Sequence, residues 1–183
     1  EQLRPRPGAE HHRWPVHRHD DLSALAEGFT IAAVREEDLP DLLPLLRAYC
    51  DFYEVAPSDA ELLAVCRALL ADPAREGVQL LARRGAGRAA AGFATLYWTW
   101  DTLGAQRVGV MYDLFVDPGA RGIGLADALI LACRDRCREH GAGELVWQTA
   151  LDNHRAQRVY DRLGARRSRW LDYSLPVDSG RER

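Results

Sequence analysis

The sequence predicts an α/β fold in which an antiparallel β-meander runs into a strand, a glycine loop and a long helix. Three observations carry that expectation. Val78 to Arg83, Gly92 to Trp100 and Arg107 to Val116 are β-rich runs joined by the turn signals Gly85-Ala86-Gly87 and Leu103-Gly104. The last run stops at Asp117-Pro118, passes Gly119, Gly122 and Gly124, and enters the Ala- and Leu-rich stretch Leu125 to His140, which ends near Gly141 and Gly143. Before the meander, two leucine-patterned segments supply further helices.

Taken in order, residues 1–28 are rich in Pro, Arg and His and lack steady apolar periodicity, so they read as a flexible extension. His11, His12, His17 and His19 share no clear helical face and have no carboxylate-rich partner segment, so no metal is assigned to them. Phe29 to Val34 is a short strand. Glu36-Glu37-Asp38 then place acids in the first turn of a helix carrying Leu39, Leu42, Leu43, Leu45 and Leu46. Ser58 and Glu61 form a capping box for a second helix, whose apolar face of Leu62, Leu63, Val65, Leu69 and Leu70 runs to Asp72-Pro73. Between these helices lies Tyr49-Cys50-Asp51-Phe52-Tyr53-Glu54, an aromatic and acidic turn that either borders a pocket or only closes the helix pair. In the second meander strand Phe93, Thr95, Tyr97 and Thr99 alternate with Ala94, Leu96, Trp98 and Trp100, which puts two tryptophans on one face. After the long helix, Glu144 to Ala150 reads as a buried strand. Asp152 or Asn153 caps a short helix through Leu163, and Ala165 to Leu175 reads as a final strand.

At 183 residues and 47% hydrophobic content, the chain suits one domain with a real core. A formal charge of -3 with scattered Arg residues points away from nucleic acid and anionic membrane and toward neutral or cationic small molecules. No apolar run approaches the roughly 20 residues of a membrane span and no signal-peptide core is visible, so a cytoplasmic protein is expected. Cys133 and Cys137 stand four apart, but no His or Cys partners sit at zinc spacing, so Cys50, Cys66, Cys133 and Cys137 read as reduced thiols. Every Lys or Arg is an Arg, which excludes a lysine nucleophile or Schiff base.

A strand, a glycine loop and a helix start in succession aim backbone N–H groups and the positive end of a helix dipole at one spot, which suits a phosphate or pyrophosphate. The same stretch resembles the acetyl-CoA motif of the GNAT superfamily of N-acetyltransferases, Arg/Gln-x-x-Gly-x-Gly/Ala, with Arg121, Gly124 and Ala126 at its fixed positions. A second family motif, Asn-x-x-Ala-x-x-x-Tyr-x-(Arg/Lys)-x-Gly, recurs as Asn153, Ala156, Tyr160, Arg162 and Gly164. The resemblance covers about Phe29 to Leu175. It implies a mixed, mostly antiparallel sheet with helices on both faces, splayed where acetyl-CoA enters, and an N-acetyltransferase domain over residues 29–178 followed by a tail, 179–183.

On that resemblance, Arg121, Gly122, Ile123, Gly124, Leu125, Ala126 and Asp127 bind the cofactor, and the backbone amides of Gly122 to Asp127 hold the pyrophosphate. The backbone of Leu114, Phe115 and Val116 pairs with the pantetheine arm. Asn153 contacts the cofactor or caps its helix, and Tyr160 protonates the departing thiolate. The segment Gly92 to Asp101 followed by Asp113 to Val116 is similar to the diamine and polyamine acetyltransferase branch. It implies that Asp101 and Asp113 hold a cationic amine walled by Trp100, with Tyr53 and Glu54 in the region that borders the acceptor. That branch carries Glu where this chain has Tyr112. Either Asp113 or Glu54 deprotonates the amine through water, or the amine arrives neutral, or the acceptor is not a polyamine. The expected reaction is direct acetyl transfer from acetyl-CoA to a primary amine of a small molecule such as a polyamine, diamine or amino acid, and the resemblance allows a homodimer. An acyl-CoA-binding regulatory module that has lost its base is the rival. A dinucleotide oxidoreductase is disfavoured by the antiparallel meander.

Overall fold

The computed structural model describes residues 28–85 and 89–177. In chain order its elements are β1 (Phe29–Ala33), a 3-10 turn (Glu36–Asp38), α1 (Leu39–Phe52), α2 (Asp59–Ala71), β2 (Gly77–Arg84), β3 (Ala89–Asp101), β4 (Gln106–Val116), a second 3-10 turn (Pro118–Ala120), α3 (Leu125–Glu139), β5 (Ala142–Val146) and α4 (His154–Arg162). The described residues form one five-stranded sheet in the order β1-β2-β3-β4-β5. Strands β1 to β4 pair antiparallel, whereas β5 lies parallel to β4.

The alternation of β3 separates two cores. Phe93 faces the same side as Leu81 and Phe115 and packs under α1 and α2 with Leu42, Leu46 and Cys66. Ala94 and Leu96 face the other side and pack with Leu80, Met111, Leu125 and Leu129 under α3. Helices therefore cover both faces, as the sequence implies. Each fully buried Leu or Phe contributes about 1.5–3 kcal/mol relative to exposure. The expected capping box of α2 is present, with the Ser58 hydroxyl accepting from the Glu61 N–H and the Glu61 carboxylate accepting from the Ser58 N–H.

Two irregularities position the site. The register steps from Thr95↔Asp113 to Leu96↔Met111, so Tyr112 is the extra residue of a β-bulge in β4. Pairing of β4 with β5 runs only from Arg107↔Ala142 to Val110↔Val146, and β4 continues to Val116 without β5 beside it. The sheet is splayed there, leaving Leu114 to Val116 without a strand on one side.

The C-terminal part departs from expectation. The strand expected over Glu144 to Ala150 is the shorter β5, and it is only partly buried. No strand forms over Ala165 to Leu175: Leu171, Tyr173 and Leu175 alternate correctly but stand exposed, and the segment meets the β5 region through side chains, with Asp172 accepting from Gln148 at 2.6 Å and Arg166 at 4.0 Å from Glu144. The N-terminal histidines, Ala86-Gly87 and the tail 179–183 lie outside the described residues. Among the described residues no helix is long and apolar enough to cross a membrane.

Candidate active site

The glycine loop ends at the start of α3. Gly122 and Gly124 have φ of +86° and +83°, a left-handed conformation that side chains with a Cβ disfavour. Gly124 is the N-cap of α3 and offers no side-chain cap, and the ladder begins with the Ala128 N–H donating to the Gly124 carbonyl. The N–H groups of Leu125, Ala126 and Asp127 precede the first intrahelical bond and stand at the positive end of the helix dipole. Arg121 and Ile123 are exposed on the same loop. The Arg121 guanidinium folds back to donate to the Val116 carbonyl at 2.9 Å, so it braces the end of β4 beside the splay.

Asp127 turns its side chain inward. Its carboxylate, 5% exposed, accepts a bidentate pair from Arg162 of α4, Nε to Oδ1 at 3.0 Å and Nη2 to Oδ1 and Oδ2 at 2.8 Å. This pair joins the first turn of α3 to the helix that carries Tyr160. Sequence pattern alone marks both residues but not their pairing.

Tyr160 is half-buried, packs edge-on against Trp147 at 5.2 Å, and hydrogen-bonds Thr149. Burial raises its phenol above the usual range, opposed by the Thr149 hydrogen bond, and Tyr53 lies close enough to add to the rise. Asn153 caps α4, its Oδ1 accepting from the Ala156 N–H at 3.2 Å. Of the two roles read for Asn153, the cap is the one formed within the chain.

Asp113 sits opposite Thr95 on the face beneath α1. It accepts hydrogen bonds from the Thr95 and Tyr49 hydroxyls. Burial pushes its carboxyl above the usual range, opposed by those two bonds, and no cation among the described residues pairs with it. Tyr49 is wedged edge-on against Phe93 and Phe115 and meets Tyr53 at 5.1 Å. Beside it, Tyr97 packs edge-on against the bulged Tyr112, and burial pushes the Tyr97 phenol up to about 12. The bulge thus brings Tyr112 to the Asp113 side of the sheet, 71% exposed at the rim. Glu54 completes the turn after α1, exposed and at φ +56°.

Asp113, Tyr53 and Tyr160 therefore share one region, at the splay and next to the glycine loop. Trp100 and Asp101 do not join them. They pair with Arg107 and Gln106 at the far hairpin, and at 3.3 Å per residue they stand about 17–20 Å along β3 from Thr95. There the Arg107 guanidinium lies over the Trp100 ring at 4.9 Å, and Asp101 accepts from the Leu103 N–H at 3.1 Å to hold the turn. Tyr49, Thr95 and Tyr97 were not assigned from sequence as site residues. Their only signals were the aromatic turn and the alternation of β3. Cys133 and Cys137 are free and buried, with thiols pushed up to about 12 and about 11. Among the described residues no group of His, Cys, Asp or Glu could hold a metal.

A sheet that opens beside a glycine-capped helix, with an acid and a phenol near the opening, is an arrangement that suits acyl transfer. The chain belongs to the GNAT acetyltransferase family, whose sequence profile, described as Acetyltransferase (GNAT) family, matches residues 42–165. It is similar to YhfO, an uncharacterized N-acetyltransferase of Bacillus subtilis (strain 168), at 31% identity over 134 residues, 73% of this chain and 87% of that one. A 64-residue stretch, 35% of this chain and 20% of the relative, is 44% identical to mycothiol acetyltransferase of Sanguibacter keddieii. The crystal structure of a probable acetyltransferase matches with a TM-score of 0.73 at 28% identity, covering 82% of this chain and 99% of that one. The protein is an acetyl-CoA-dependent acetyltransferase of that family.

Proposed function

We propose that the protein transfers the acetyl group of acetyl-CoA to a primary amine of a small cationic molecule, with Asp113 as the counter-charge that receives the amine. The observation that carries this reading is a half-buried carboxylate with two neutral donors and no cation among the described residues. Such a group is costly to bury alone and is completed by an ammonium. Its raised affinity for protons also suits a base that takes the ammonium proton, directly or through water. The exposed Glu54 and the Tyr53 ring border the way in.

Backbone groups supply the grip on the cofactor. The open edge of Leu114, Phe115 and Val116 accepts the pantetheine arm as an added strand, and the N–H groups from Gly122 to Asp127 receive the pyrophosphate. Arg121 contributes by bracing Val116, and Asn153 by fixing the start of α4. The acetyl group then lies between Asp113 and Tyr160, whose phenol returns a proton to the thiolate as the C–S bond breaks. The acetyl group passes directly from sulfur to nitrogen. We place this activity in one domain over residues 29–178 and in the cytoplasm, a reducing compartment that suits its free cysteines.

The test is thiol release from acetyl-CoA across polyamines, diamines, amino acids and aminoglycosides, repeated with Asp113→Asn. One amine class should release thiol, and the variant should lose that release. Equal rates in the wild type and Asp113→Asn would overturn the assignment of Asp113.

A further inference from the structure

The site contains a directed set of hydrogen bonds that acetyl transfer, as described above, does not use. The Gln79 Nε2 donates to Thr95 Oγ1 at 3.2 Å, both side chains being buried in the sheet. With one lone pair so occupied, the hydroxyl of Thr95 has its single proton free for Asp113, the residue directly opposite on β4. From the other side Tyr53 hydrogen-bonds Tyr49, and Tyr49 hydrogen-bonds Asp113. A carboxylate only accepts, so the Tyr49 proton points at Asp113. Both arms end as donors on one carboxylate.

A cost reveals the direction. Gln79 Oε1 is buried with no hydrogen-bond partner, in a residue only 4% exposed. Reversing the amide would give this oxygen the Thr95 proton and would deprive Asp113 of a donor. A buried polar atom left unsatisfied is uncommon and destabilising, and such conflicts collect at functional sites.

We propose that Tyr49, Thr95 and Gln79 are positioning residues of the transfer site. Gln79 orients the Thr95 hydroxyl, and Thr95 and Tyr49 together hold Asp113 ionised with its remaining lone pairs turned to the acceptor amine. This rests on the reading of Asp113 as the acceptor carboxylate. The other titratable groups near Asp113 are Cys50 from α1, with Asp51 beside it, Tyr97 from β3 and Tyr112 next to it on β4. Burial pushes the Cys50 thiol and the Tyr97 phenol up, so both are neutral at working pH. None is a cation that could replace the two hydroxyl donors.

The experiment is an NMR titration of the Asp113 carboxyl in ¹³C-Asp-labelled protein, assigned by its loss in Asp113→Asn, beside the pH profile of kcat/KM. Losing a donor to a carboxylate should raise its midpoint by about one pH unit. Thr95→Val and Tyr49→Phe should each show that rise, Thr95→Ser should restore the wild-type midpoint, and the acidic limb of kcat/KM should move by the same amount. Gln79→Met should raise the midpoint less, by about half a unit, while raising the Tm because the orphaned oxygen is gone. An unchanged midpoint in both Thr95→Val and Tyr49→Phe, in protein that still melts cooperatively, overturns the proposal. The NMR midpoint needs no substrate. Absence of thiol release with every amine would therefore overturn the acceptor reading, while the midpoints judge the hydrogen-bond set separately.

Discussion

Replacing Arg162 by Met should loosen the helix that carries Tyr160 without touching the reacting groups. Methionine keeps most of the apolar stem that Arg lays along the surface and removes only the guanidinium. What remains is the Asp127 carboxylate, 5% exposed, stripped of three contacts of 2.8–3.0 Å. Breaking a fully buried ion pair costs about 3–5 kcal/mol. Two features lower that figure here. The Arg162 side chain is 59% exposed, so water reaches the vacated side. Asp127 also lies in the first turn of α3, where the helix dipole offsets about 0.3–1 kcal/mol. The expected cost is about 2 kcal/mol, a fall in Tm of about 4–8 °C for a domain of this size. A double-mutant cycle with Asp127→Asn checks the reasoning by thermal melts. In the Asp127→Asn background the same Arg162→Met change should cost about 1 kcal/mol less, because the stranded charge is absent. Thiol-release kinetics should show a lower kcat and a higher KM for acetyl-CoA, since α3 begins at the glycine loop. A coupling energy below about 0.5 kcal/mol would refute the claim that this pair fastens the two helices.

Three further outcomes follow from the same geometry. Asp113→Asn should abolish transfer and yet melt at a higher temperature near pH 7. Burial raises the folded carboxyl above its ordinary value, so the native state binds the proton more tightly than the unfolded chain. Native stability is then fullest below that ordinary value and declines as pH rises through the folded midpoint, so the gain from Asn should shrink on acidification in pH-dependent melts. Tyr160→Phe should lower kcat by about 10²-fold with little change in the KM for acetyl-CoA, as loss of a general acid does. Gly124→Ala should cost about 1–2 kcal/mol for a left-handed residue with a Cβ and weaken acetyl-CoA binding measured by calorimetry.

Much of this fold is written in short-range pattern. The Ser58–Glu61 box, the three meander strands, the bend at Leu103-Gly104 and the glycine loop all depend on residues within a few positions of one another, and each is found where the sequence puts it. The strand expected over Ala165 to Leu175 shows the limit of such patterns. Alternation describes a strand whose backbone pairs with a neighbour, and here the segment forms no ladder and meets the β5 region through the side chains of Arg166 and Asp172. Distance fails similarly for Trp100 and Asp101. They follow Thr95 closely in sequence, but β3 is extended and carries them about 17–20 Å away. Tyr49 was hard to read for the opposite reason. The aromatic turn marks its neighbourhood but not its partner, and only the packing of α1 over Phe93 and Phe115 brings its hydroxyl to Asp113.

The bulge at Tyr112 changes the meaning of the missing glutamate. Counted along the sequence, Tyr112 replaces a carboxylate that would deprotonate the amine, and the site looks deprived of its base. In the sheet, position 112 is the extra residue of the bulge, exposed at the rim and packed against Tyr97. A glutamate there would be a solvated charge with an ordinary proton affinity. Asp113, one residue on, is the half-buried carboxylate whose affinity for protons is raised by desolvation. A base works best when its pKa approaches the operating pH, and desolvation moves Asp113 in that direction. The phenol at 112 adds an aromatic wall beside an ammonium, which favours the cation without competing for its proton. The substitution therefore bears on which amines are held at the rim, while proton removal rests on Asp113 and the two hydroxyls that donate to it.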